Sequence, residues 1–337
     1  MGHDSSMSKF YCPSGHPTIN VRFSSEEFLE MGLTLVEEAA DADVIVAALL
    51  EELIPLMRQN DNHKKYLVWC DEPLWSNIFQ KIEMTCTGLM INHETMVAAY
   101  AMNCFTGNVL FSNHHFLLDI YHLDITSAVR VLGKESTLLP ASGERKIAAF
   151  LTYRNGGIWD YKHSSGIFGL NTLRSRIALE GALLGKVDVY GQGWPKNLAL
   201  KEDEPEHQNA DIFAMKLKQY SKYKFALCFE NTFAPYYVTE KIWHSILAGC
   251  LPIYYAGDGH TIYQDLPRGS FIDYAEFENP QQMFSMIESI SQENFDLRMS
   301  LCKSALFNSI RISDEGRAPR RMQLSMFAEK IKILKTL

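Results

Sequence analysis

Tyr223 to Gly257 reads YKFALCFENTFAPYYVTEKIWHSILAGCLPIYYAG. Phe225, Leu227 and Phe229 alternate with Ala226 and Cys228 in a short apolar run that ends at Glu230, the pattern of a buried strand. Polar residues begin where that strand ends. Thr239 is placed to N-cap a helix carrying Ile242, Trp243, Ile246 and Leu247 on one face, and Gly249 to close it before a second buried run, Leu251 to Tyr255. The stretch therefore predicts a β-α-β crossover, whose loop and helix start lie at the carboxyl edge of a parallel sheet, where ligands bind in α/β folds.

The residue types at that edge predict an anionic, hydroxyl-rich ligand. A helix start offers backbone N–H groups and partial positive charge, and Lys241 adds a full charge in the first turn. Glu230 and Glu240 supply carboxylates able to accept from sugar hydroxyls or a base edge, and Asn231 both donates and accepts. Together they suit a nucleotide sugar.

FENTFAPYYVTEKIWHSILAGCLPIYYAG resembles the donor-binding signature of the α-1,3/4-fucosyltransferases, glycosyltransferase family ten, with the bacterial members as the nearest likeness. Upstream, LRSRIALEGALLGKVDVYGQG resembles the family's basic helix, strand and glycine turn; downstream, YQDLPRGSFIDYAEF resembles the segment after the second strand. The resemblance covers the C-terminal half and only faintly the N-terminal half. It implies a GT-B fold of two facing Rossmann-like α/β domains and transfer of L-fucose from GDP-fucose to a hydroxyl of a GlcNAc-containing glycan, with inversion, in α-1,3 or α-1,4 linkage. It assigns donor contacts to Glu230, Asn231, Tyr237, Val238, Thr239, Glu240 and Lys241, and the phosphate-binding arginine to Arg176. Arg174 is the alternative, because two residues apart on a helix they point about 200° from each other and cannot both face one ligand. It assigns the base to Glu72, with the adjacent Asp71 as alternative; an ordinary acidic turn before Pro73 is the plain reading. Two further readings stay open: a GT-B transferase using another nucleotide sugar, and a glycan- or nucleotide-binding module without catalysis.

The N-terminal half alternates similarly. SSEEFLEMGLTLVEEA predicts an amphipathic helix, ADVIVAALL a buried strand, the stretch through Arg58 to His63 a polar helix, and KYLVWC a second buried strand ending before Asp71. A new strand from Lys146 to Thr152 puts the domain boundary at 143/144. The expected organisation is an acceptor-binding α/β domain at 1–143, a GDP-fucose-binding domain at 144–315, and a C-terminal helix at 316–337 with Leu324, Phe327, Ile331 and Leu334 at helical spacing, returning to the first domain. Its basic residues leave a second reading, attachment to an anionic membrane surface.

Composition narrows the class. With 337 residues and 47% hydrophobic content the chain fills two cores, and a formal net charge of −8 argues against nucleic-acid partners. Seven dispersed cysteines without a CxxC pair read as reduced thiols. With no membrane-spanning stretch and no secretory pattern at the start, the expected setting is the bacterial cytoplasm; the alternative is the lumenal catalytic domain of a Golgi enzyme without its anchor. Metal chemistry has little support: Asp41-Ala42-Asp43 precedes a strand rather than following one, and His93, His114 and His115 lack a third ligand at recognisable spacing. No cofactor is expected to be required, with Mn2+ or Mg2+ at most stimulating turnover.

Overall fold

The computed structural model describes residues 7–17, 23–59, 64–69, 82–84, 89–92, 97–102, 144–162, 166–200, 216–235, 237–315 and 318–337. The chain divides into two compact units, residues 1–111 with 316–337, and residues 112–315. The boundary expected at 143/144 lies outside the described residues, as do Asp71 and Glu72.

The first unit holds a seven-stranded sheet. Strands β1 (Ser8–Tyr11), β2 (Leu33–Val36), β3 (Val44–Ala47), β4 (Lys65–Trp69), β5 (Ile82–Met84), β6 (Leu89–Asn92) and β7 (Val97–Met102) lie in the order β2-β1-β3-β4-β7-β6-β5, parallel except for the antiparallel pairs β5/β6 and β6/β7. The helix expected over SSEEFLEMGLTLVEEA is corrected. Helix α1 covers only Ser25–Glu30, opened by a capping box between Ser24 and Glu27. Gly32, at φ 74°, then turns the chain into β2. The predicted polar helix also moves: α2 spans Leu50–Gln59 and packs Leu50 and Leu53 beneath β3 and β4.

In the second unit, β8 (Glu144–Phe150), β10 (Val187–Tyr190), β11 (Tyr223–Leu227), β13 (Leu251–Tyr254) and β14 (Ile272–Asp273) form a wholly parallel sheet in the order β10-β8-β11-β13-β14. A two-stranded antiparallel ladder, β9 (Phe168–Gly169) with β12 (Thr232–Phe233), stands apart from it. Helices α3 (Asn171–Leu183), α4 (Glu240–Leu247), α5 (Pro280–Ser289) and α6 (Gln292–Glu315) follow in chain order. Ile147, Ala149, Phe225 and Leu227 face a core shared with these helices, while Ala148 and Ala226 face a second core closed by Tyr220 and Tyr223. Burial on both sheet faces explains why the strands read as continuous apolar runs. Both units are thus α/β bodies on mainly parallel sheets, as the GT-B class requires.

Helix α7 (Ala318–Thr336) belongs to the first unit. Leu324, Phe327, Ile331 and Leu334 are all buried, and the Phe327 ring lies 4.4 Å from Trp69 and 5.3 Å from Phe10 between centroids. Its main apolar face is therefore covered by protein, which removes the basis for membrane attachment through that face. No helix among the described residues is long and apolar enough to cross a membrane.

Candidate active site

The predicted crossover is present. β11 and β13 run parallel with Phe225 opposite Leu251 and Leu227 opposite Ile253, and α4 connects them. Thr239 is the N-cap residue in extended conformation, and Gly249, at φ 79°, ends the helix as its N–H donates to Ile246 O.

Glu230, just past β11, is the centre of the site and is only 2% exposed. Its Oε1 accepts from the Thr239 N–H (2.7 Å) and the Tyr254 hydroxyl (3.3 Å); its Oε2 accepts from Thr239 Oγ1 (2.7 Å) and Lys241 Nζ (3.2 Å). Four donors engage a carboxylate with about four lone-pair sites. This arrangement places the carboxylate expected to contact the donor inside a hydrogen-bonded cluster. It corrects the capping expectation, because Thr239 turns its hydroxyl to Glu230 and Lys241 and makes no side-chain cap bond.

Lys241 Nζ donates to Thr239 Oγ1 at 2.8 Å and lies 3.6 Å from Glu240 Oε1, with its side chain 26% exposed. Burial works against its charge, but Glu230 and Glu240 outweigh it and raise its pKa. Burial likewise disfavours the Glu240 anion, yet Lys241, Lys216 and His244 together bring that carboxyl down to about 2. At neutral pH both stay ionised.

Arg174, not Arg176, joins this cluster. It sits on the buried face of α3, donates to Phe229 O (3.2 Å) and Asn171 Oδ1 (2.6 Å), and its Nε has no partner among the described residues. Burial and the neighbouring Arg154 pull its pKa to about 10, against the opposing pull of Glu230, Tyr237 and Glu240. A guanidinium that among the described residues is hydrogen-bonded only to neutral acceptors, and is crowded by a second cation, favours an incoming anion. Arg176 is exposed on the other side of α3, 4.0 Å from Glu180 Oε1, and interacts with Tyr274.

The remaining expected contacts divide. Val238 is fully buried among core side chains, and Tyr237 is 3% exposed, its carbonyl accepting from the Tyr254 hydroxyl. Asn231 keeps a buried Oδ1 without a partner among the described residues, while its carbonyl accepts from Leu170 N–H. Arg154 was missed by sequence reasoning. It follows β8, its N–H donates to Ser175 Oγ, and its guanidinium covers the Trp159 ring at 4.1 Å. The signal available was its place four residues beyond a buried strand, at the same sheet edge as Glu230. Among the described residues no three His, Cys, Asp or Glu side chains group to hold a metal ion.

Residues 171–298 match the model of the glycosyltransferase family 10 (fucosyltransferase) C-terminal domain. This stretch contains Arg174 and the whole Glu230–Lys241 cluster. The similarity to glycosyltransferase family 10 is thus one of this C-terminal segment. A GDP-fucose protein O-fucosyltransferase 3 of Rattus norvegicus is 35% identical over 111 residues, 32% of this chain and 22% of the relative. A 4-galactosyl-N-acetylglucosaminide 3-alpha-L-fucosyltransferase of Hylobates lar is 29% identical over 110 residues, 32% of this chain and 26% of that protein. The chain thus matches about a quarter of these relatives' length. A crystal structure of an alpha1,3-fucosyltransferase with GDP-fucose aligns over 94% of both chains at 14% identity with a TM-score of 0.44. The family 10 match stays within the second unit.

Proposed function

We propose that this chain is an inverting fucosyltransferase that binds GDP-fucose in its second unit and passes L-fucose to an acceptor hydroxyl. The observation that carries the reading is the pairing of Arg174 and Lys241 beside the carboxyl edge of β11 and β13, within the family 10 segment. As the sugar leaves, negative charge grows on the diphosphate, and preorganised cations oppose that charge without reorganising. Arg174 brings an Nε–H without a partner among the described residues, and Lys241 a third ammonium proton beyond its two hydrogen bonds, with Glu240 Oε1 3.6 Å away. The roles assigned to Glu230, Val238 and Tyr237 move from sugar contact to framework, leaving Asn231 and Glu240 for the ligand. Glu72 or Asp71 as base stays part of the proposal, as does turnover that needs no metal, a reading supported by the two side-chain cations available to the diphosphate.

For the acceptor, a GlcNAc-containing glycan in α-1,3 or α-1,4 linkage is the first reading. A protein hydroxyl is the second, favoured by the O-fucosyltransferase named above. Incubating the purified chain with GDP-fucose, GDP-mannose and UDP-sugars, each with a glycan or protein acceptor, tests both. Fucose transfer only from GDP-fucose is the expected result, and the product identifies the acceptor class. Transfer from another donor points to the different-sugar reading. GDP binding with no transfer and no donor hydrolysis points to the binding module.

A further inference from the structure

Glu230 accepts four hydrogen bonds and is almost wholly buried, yet it sits beside the cation assigned to the diphosphate. Its four donors come from three residues on two elements of the crossover: Thr239 and Lys241 at the start of α4, and Tyr254 at the end of β13. Thr239 Oγ1 closes a small ring, donating to Glu230 Oε2 while accepting from Lys241 Nζ. Two of the three ammonium protons are thereby directed inward; Glu240 Oε1, 3.6 Å away, is too far for a hydrogen bond, which leaves the third for a ligand. A long lysine side chain otherwise samples many rotamers, and holding it in one arrangement before binding removes that entropic cost.

We propose that Glu230 is a positioning residue: a buried internal anion that fixes Lys241, through itself and Thr239, in the orientation that receives the diphosphate of the nucleotide donor. The proposal rests on the nucleotide-sugar reading of this site. It assigns Glu230 an action opposite in sign to its charge. Taken only as a negative charge near an anion-binding site, Glu230 repels the ligand, and neutralising it strengthens binding. As the group that orients Lys241, its removal weakens binding, and only while Lys241 is present.

The test is a double-mutant cycle read by calorimetric titration with GDP, with thermal melting to show that each variant is folded. Glu230→Gln is expected to weaken GDP binding by roughly tenfold or more. In the Lys241→Met background the same substitution is expected to leave GDP affinity unchanged or to improve it. A parallel cycle with Thr239→Val, which keeps the shape and removes the bridging hydroxyl, is expected to behave likewise and replaces the first should Glu230→Gln fail to fold. Tighter binding by Glu230→Gln with Lys241 intact, or equal losses in both backgrounds, overturns the positioning role while leaving the nucleotide site standing. Absence of GDP binding by the unmodified protein overturns the nucleotide reading, and this proposal with it.

Discussion

Two arginines two positions apart illustrate what a single residue's surroundings decide. Arg174 is 7% exposed, its Nε without a partner among the described residues and a second guanidinium nearby, whereas Arg176 reaches solvent beside Glu180. Arg174→Lys keeps a charge but loses the planar fork, so GDP affinity should fall on the order of tenfold to a hundredfold. Arg176→Ala should change GDP affinity by less than about twofold, as expected of an exposed charge with a weak pair. Calorimetric titration of both variants checks this, and the reverse pattern would return the phosphate role to Arg176. Sequence spacing established that only one of the two faces the ligand; it could not establish which, because that depends on how α3 is rotated against β11. The four bonds of Glu230 were hidden for a similar reason, since Tyr254 lies 24 positions away and its hydroxyl arrives only through strand pairing.

At the scale of elements, the crossover was legible because strand pattern, helix face and closing glycine all agreed from Tyr223 to Tyr254. The failures are short elements. β1 has four residues and the β9/β12 ladder two residues per strand, too few for a pattern to show. Helix α1 was overextended because the apolar spacing runs on through Gly32, whose positive φ is the true stop. Close packing makes two elements sensitive to small changes. A Cβ on Gly181 of α3 would lie 2.2 Å from Val187 Cγ2 on β10 and 2.9 Å from Phe284 Cζ on α5. Gly181→Ala should therefore destabilise by about 1–3 kcal/mol despite alanine's helix preference, with partial rescue by Val187→Ala, both read from the denaturant midpoint. After β13, His260 caps the short turn Thr261–Gln264 by accepting the Ile262 N–H at Nδ1. Burial depresses its pKa to about 4 against a smaller opposing pull from Asp273. A histidine held neutral in the fold contributes stability that is fully present above its ordinary value of about 6.5 and is lost as pH falls towards 4. His260→Asn keeps a capping acceptor without titrating, so the decline in melting temperature between pH 6.5 and 4 should become shallower, with His244 and, at the acid end, Glu240 contributing to what remains.

Over the whole molecule, the first unit draws on both ends of the described sequence. Phe327 of α7 is fully buried beside Phe10, Phe28 and Trp69. Phe327→Ala should cost the first unit about 3–5 kcal/mol. GDP should still raise the temperature at which the second unit melts, since all the cations assigned to it lie within 112–315. Loss of that protection in Phe327→Ala would show that α7 supports the nucleotide site as well as its own unit. The same arrangement bears on how the chain is made. Residues 112–315 are contiguous and can fold as they leave the ribosome, while the sheet begun by Ser8–Tyr11 waits about 10 to 40 s for the helix that covers Phe10 and Trp69. During that interval an aromatic surface meant for the interior is open to the cytosol or lumen. Production yield is therefore expected to depend on translation speed and on chaperones that shield nascent apolar surface, independently of the finished protein's stability.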